Sequence, residues 1–433
     1  MKGISLFTFF CVVTISFSLT CGLSLVSAET LEEAWSIALS RDHRIQASRL
    51  NADSTRQLVS AAKASRLPAL SLESGFTVLD NAPASILNIP MSTVDRIPTG
   101  EDKSVSYKAT VALPLYTGGR IKAGIDAAAS AWNAALQEER KTIQDVKLSV
   151  AEAYIAVLRA GRMAEVAEMN VTSLASYARD VEQFFEQGMV TKNDLLAAQV
   201  SLADARQRLT QAANALAVAR AAYNRLLGRA LDQPVALDDL SAEAVDTDLE
   251  TLKSKALEKR PELVSLSEQS RALKNQASGA RASSLPHLAL SGGYSFTQNK
   301  YQVHEDVWAA HIGLRWDIFD GGVSRHNAAA LRQRADALDA MRRDTVSLVA
   351  LEVHQTCLDA DEAFKRIAVT REAVSQSEEN LRVAKDRYRE GVGTHTEVLE
   401  AETLRTKSYT NYHNAIYDAV MAQIRLKYVT GDL

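Results

Sequence analysis

Proline is scarce in this chain, with 8 in 433 residues, and none falls between Pro114 and Pro234 or after Pro286. A proline inside a helix costs about 3 kcal/mol, so these long proline-free spans are open to unbroken helix. Cysteine is scarcer still. Only Cys11, Cys21 and Cys357 occur, which excludes a disulfide framework. Charge of one sign is missing too. Lys and Arg number 49 against 53 Asp and Glu, and no basic stripe appears, so nucleic acid is not expected as a partner. No Walker loop, dinucleotide fingerprint, Cys-x-x-Cys or His-Glu-x-x-His pattern occurs. No enzyme chemistry, cofactor or metal is therefore expected. His304 and His311 flank one segment without a third ligand and read as loop and lumen residues. Cys357 reads as a small buried residue.

Lys2 is followed by an uncharged run from Ile4 to Val26, closed by Val26-Ser27-Ala28. The run is long enough to be an anchor, but the small residues at its end favour a cleaved secretory signal over residues 1–28. Cys21 raises the alternative of a lipid site, with Thr20 a poor fit before it. Cleavage after Ala28 leaves Cys357 as the single thiol.

The rest of the chain is a duplication. Ala64–Phe76 (ASRLPALSLESGF) returns as Ala282–Tyr294 (ASSLPHLALSGGY), and Gly118-Gly119 returns as Gly321-Gly322. Glu186–Gln199 (EQGMVTKNDLLAAQ) returns as Arg389–Glu402 (REGVGTHTEVLEAE). Recurrence in order marks two versions of one unit. The first covers residues 29–227 and the second 249–433, with a linker over 228–248. The first copy has the longer loop between its two alternating segments. Each unit predicts a helix (about Leu31–Arg66, about Leu249–Ser284), a proline stop, two strands, a Gly-Gly pair, a long helix, a glycine turn and a return helix.

The strands are expected at about 69–80, 104–116, 287–297 and 307–319. In each, one face is apolar and the other carries Ser, Thr, Gly, Lys or His, at the length of an oblique bilayer crossing. A lipid-exposed sheet edge is not tolerated, and four strands cannot close a barrel. A spanning sheet must therefore be shared between copies, and two, three or four copies satisfy this arithmetic. The long helices, each of about 70 residues, would reach about 100 Å. The shorter segments are about half as long. The return helix Thr191–Leu227 is therefore expected to stack end to end with Leu249–Ser284, and the C-terminal helix with the N-terminal one. That places the linker and both termini at mid-height of a helical rod.

This ordered set of parts, with AEAYIAVLRA at Ala151–Ala160, resembles the TolC-like outer-membrane efflux proteins over essentially the whole mature chain. The resemblance implies an α+β membrane protein: a homotrimer with a periplasmic helical tunnel and a shared twelve-stranded outer-membrane barrel. It implies work with a periplasmic adaptor and an inner-membrane transporter that supplies the energy. The two turns become adaptor-facing tips at Gly188, Met189, Val190 and Thr191, and at Gly391, Val392, Gly393 and Thr394. Glu397 and Glu400, three apart on one helix face, would form acidic rings at the entrance, besides favouring the helix N-terminus. The family's gate contact maps onto Asp194 and Tyr388. A second gate contact needs an arginine where this chain has Gly393, with Arg389 or Lys192 as substitutes. The competing reading is an exported soluble coiled-coil scaffold without a pore. The four apolar-faced segments count against it, and the cargo is not readable.

Overall fold

The computed structural model describes residues 28–86, 96–243 and 248–433. The expected signal segment lies outside them apart from Ala28. Eight helices and six strands occur among the described residues. In chain order they are α1 (Leu31–Arg41), α2 (His43–Ala64), β1 (Ala69–Val78), β2 (Ala84–Ile86), β3 (Arg96–Pro98), β4 (Lys103–Tyr116), α3 (Arg120–Glu186) and α4 (Lys192–Leu226). The second half follows with α5 (Leu249–Lys259), α6 (Pro261–Ala282), β5 (His287–Thr297), β6 (Asp306–Arg315), α7 (Val323–Arg389) and α8 (His395–Val429).

The long helices α3 and α7 each run 67 residues, and the returns α4 and α8 each run 35. Each long helix starts after a glycine pair with positive φ, Gly118-Gly119 and Gly321-Gly322. That backbone is unfavourable for residues with a Cβ, so the pair turns the chain from strand to helix at low cost.

The single helices expected over about Leu31–Arg66 and Leu249–Ser284 are each two. Asp42 is extended, and its carboxylate accepts from the Arg44 amide at 2.7 Å, so it caps a new helix. In the second repeat Pro261 drives Arg260 out of the helical region and begins α6.

The main sheet has the order β1-β4-β5-β6, antiparallel throughout. Its register sets Leu72, Ala109, Tyr294 and Trp308 in one row, and Leu70, Val111, Gly292 and Ala310 in the next. One face is therefore apolar across all four strands. The opposite face carries rows such as Ser71, Thr110, Gly293 and Ala309, and Glu73 beside Lys108. The apolar face is open, with Leu72 and Trp308 both 78% exposed. Among the described residues no helix is long and apolar enough to cross a membrane. β6 ends at Arg315, short of the expected 319, because its partner β5 begins only at His287. Trp316 instead turns its indole N–H to the Ser284 carbonyl at 3.2 Å. The longer first-half loop carries the β2–β3 ribbon.

The helices form a layer. Nearer the sheet the order is α2–α3–α6–α7, and nearer the turns it is α4–α3–α8–α7. The stacking partners are therefore the reverse of those expected from length. α4 continues α2, with Gly228 against Arg41, and α8 continues α6, with Gly431 against Lys259 and Lys259 paired to Asp432. The described residues 228–243 pack at mid-height, against the middle of α3. Tyr154, halfway along α3, places its hydroxyl 2.7 Å from the carbonyls of both Glu29 and Asp238. Arg229 grips the Glu29 carboxylate with two nitrogens at 2.7 and 3.0 Å. The C-terminus docks at the same level, where Lys147 Nζ reaches the Leu433 carbonyl at 2.9 Å. A core of Val146, Val150, Tyr154, Tyr223, Leu227, Tyr417 and Ile424 fills this belt.

Candidate functional site

The end of the rod away from the sheet is built from the two glycine turns. Gly188 (φ +71°) and Gly391 (φ +75°) reverse the chain, and Thr191 and Thr394 then cap α4 and α8. The turns lie side by side. Gly188, Met189, Val190, Thr191, Gly391, Gly393 and Thr394 line one cavity of about 450 Å³ with Phe184, Asp194, Tyr388, Arg389 and His395.

The two caps differ. Thr191 and Asp194 close a full capping box. The Asp194 amide donates to Thr191 Oγ1 at 3.3 Å, and Asp194 Oδ2 accepts from Thr191 N at 3.0 Å and Thr191 Oγ1 at 2.7 Å. These bonds from Thr191 hold the Asp194 carboxyl below the usual range. At the second turn the Glu397 amide donates to Thr394 Oγ1 at 3.3 Å, but the Glu397 side chain does not return the bond. Glu397 Oε2 instead lies 3.6 Å from Arg387 Nε.

Asp194 and Tyr388 share the cavity without a hydrogen bond between them within the protomer. Tyr388 packs edge-on to Tyr177 at 5.4 Å and against Phe184 at 6.0 Å, and its buried hydroxyl has no partner. Tyr177 places its hydroxyl 2.7 Å from His395 Nδ1 and stacks on that ring, while His395 Nε2 is buried and unpartnered. Burial lowers the His395 pKa, partly opposed by the Asp194 charge, and burial raises those of Tyr177 and Tyr388. Arg389 crosses from α7 to Asp180 of α3 at 3.1 Å, and Glu400 is exposed without an ion pair among the described residues.

Above the tips a buried carboxylate joins the two hairpins. Glu402 accepts from Asn170 Nδ2 (3.1 Å), Ser173 Oγ (2.8 Å) and Arg405 Nη2 (2.6 Å). Lys385 donates to Ser173 at 2.7 Å. Sequence reasoning missed Glu402, Tyr177, His395 and Arg387. Glu402 had a signal, since it sits one residue after Ala401 and four after Val398, on the apolar stripe of α8.

A helical layer about 100 Å tall, ending in an open antiparallel sheet with an apolar face, is the protomer architecture of an outer-membrane channel. The sequence pattern of the outer membrane efflux protein family matches residues 34–229 and 252–432, and the chain belongs to that family. It is similar to outer membrane protein OprJ of Pseudomonas aeruginosa, 26% identical over 317 residues. That match covers 69% of this chain and 64% of OprJ, a little under two thirds of its length. It is also similar to outer membrane protein TolC of Vibrio cholerae, 22% identical over 423 residues, covering 95% of this chain and 92% of TolC. The solved structure of VceC from Vibrio cholerae superposes with a TM-score of 0.79 at 19% identity, over 93% of this chain and 96% of VceC. The chain is thus an α+β outer-membrane protein whose helical part extends into the periplasm and whose barrel is shared between protomers. Members of the family are channels rather than enzymes.

Proposed function

We propose that three copies of this chain form a passive exit duct serving a tripartite efflux or type I secretion system. A periplasmic adaptor would dock at the tips, and an inner-membrane transporter would supply the energy. One observation carries the assembly: the protomer has two unpartnered edges that run its whole height. On one side lie α4, α2 and β1. Leu196 and Val200 are exposed on α4, Leu50 and Leu58 on α2, and the free edge of β1 continues the line. On the other lie α7 and β6, with Met341, Leu348, Leu351, Leu358 and Val369 exposed at seven-residue-type spacing. Two different edges on one subunit make a head-to-tail contact, and a ring closes it without leaving a strand edge in lipid. Three copies give twelve strands. The polar sheet face then lines the lumen and the apolar face meets lipid.

At the other end, the first turn of α8 faces the entrance, where Glu397 and Glu400 place negative charge in the ion path. Asp194 and Tyr388 belong to the closing contacts between coils. Protein purified in detergent should insert into planar lipid bilayers and give discrete conductances. Recovery from cells as a soluble monomer without detergent would instead support the scaffold reading.

A further inference from the structure

We propose that Arg387 sets the charge selectivity of the entrance by cancelling the field of Glu397, so that the first turn of α8 presents one net negative charge there rather than two. The inference rests on the reading that the first turn of α8 lines the entrance. The two tips provide the comparison. Asp194 and Glu397 hold equivalent positions, yet Asp194 closes its own helix cap and has no ion pair among the described residues, while Glu397 is turned to Arg387.

Arg387 is held for this task. Its Nη2 donates to the Val392 carbonyl at 3.3 Å, and its own carbonyl accepts from the amides of Val392 and Gly393, both at 3.0 Å. Gly393 lets the turn close this tightly. A Cβ at that position would lie 3.0 Å from both Arg387 Cβ and Tyr388 N.

The pair is about half exposed, so it adds little to stability. Its effect is on the field. Opposite charges 3.6 Å apart act as a dipole on an ion about 10 Å away, which is also the screening length in about 0.1 M salt. What survives in the first turn of α8 is the charge of Glu400, which is exposed and has no ion pair among the described residues. The preference for cations is therefore set by a difference between acids and a base, not by the number of acids.

The test is the reversal potential of the assembled protein in planar bilayers under a KCl gradient. Arg387→Gln should raise the potassium-to-chloride permeability ratio about twofold or more, and Arg387→Lys should leave it unchanged. The double variant Arg387→Gln/Glu397→Gln should return to the wild-type ratio, and Glu400→Gln should lower it. If Arg387→Gln matches wild type while Glu400→Gln lowers the ratio, Arg387 is not the counter-charge and the inference fails alone. If Glu400→Gln also changes nothing, the entrance reading fails with it.

Discussion

Glu402 is 2% exposed, and its carboxylate satisfies Asn170, Ser173 and Arg405 at once. A buried charge survives only with such partners, and removing it strands them. Glu402→Leu should cost about 2–4 kcal/mol and lower the thermal midpoint, whereas the exposed Glu400→Gln should stay within about 0.5 kcal/mol. His395 gives the pH dependence. Tyr177 of α3, Tyr388 and Arg389 of α7 and Asp194 of α4 are the titratable groups that touch it or share its cavity among the described residues. Because its pKa is lowered from the ordinary 6.5, the neutral ring is the form that fits the packed tip. The stabilisation is whole above 6.5 and is lost as pH falls through the lowered value. Amide protection across residues 391–398, taken relative to the intrinsic exchange rate at each pH, should therefore fall between about pH 7 and about pH 5. In His395→Phe, which keeps a stacking ring without a titrating group, it should respond far less. Neither Tyr177–His395 nor Arg387–Glu397 was legible in the sequence. The glycine turns that bring these residues together are local and readable, but which side chains then meet depends on how the hairpins pack.

Among elements, β5 is closely constrained at Gly293. A Cβ on Gly293 would fall 2.0 Å from the Ala109 carbonyl oxygen, so Gly293→Ala must push β4 from β5 at the centre of the sheet. We expect it to abolish the proposed oligomer, read by light scattering in detergent, while Ser295→Ala, two residues on along the same face, leaves it. The strands were readable because opposite faces of the pleat meet different surroundings, which imposes period two. That pattern overran β6, since Trp316, Ile318 and Phe319 remain apolar where no partner strand is left. The helix breaks were harder. Pro261 was visible, but Asp42 ends a helix by a cap with Arg44 that apolar spacing does not show. The stacking order was out of reach, because α2 and α6 have 22 residues each and length cannot tell which one continues α4.

At the scale of the molecule, the protomer is a slab whose lateral edges have no neighbour within the chain among the described residues, and in the proposed ring other copies finish them. On the free side of α7, Leu351 is 51% and Leu358 58% exposed, while Val349, Val353 and Cys357 on the opposite side are buried against α5 and α8. A charge at the exposed positions therefore costs the isolated chain little, as a surface substitution should. In the ring it would face the apolar stripe of the next copy's α2 or α4, where an unpaired charge loses its water. Leu351→Glu/Leu358→Glu should accordingly fold with native helix content yet fail to form the oligomer, read by light scattering in detergent and by loss of bilayer conductance. The matched change Val353→Glu, on the buried side, should instead unfold the protomer itself. Were the double variant to assemble and conduct like wild type, the α7 edge would not be the contact that closes the ring, and the open edges of β1 and β6 would have to hold the copies together unaided.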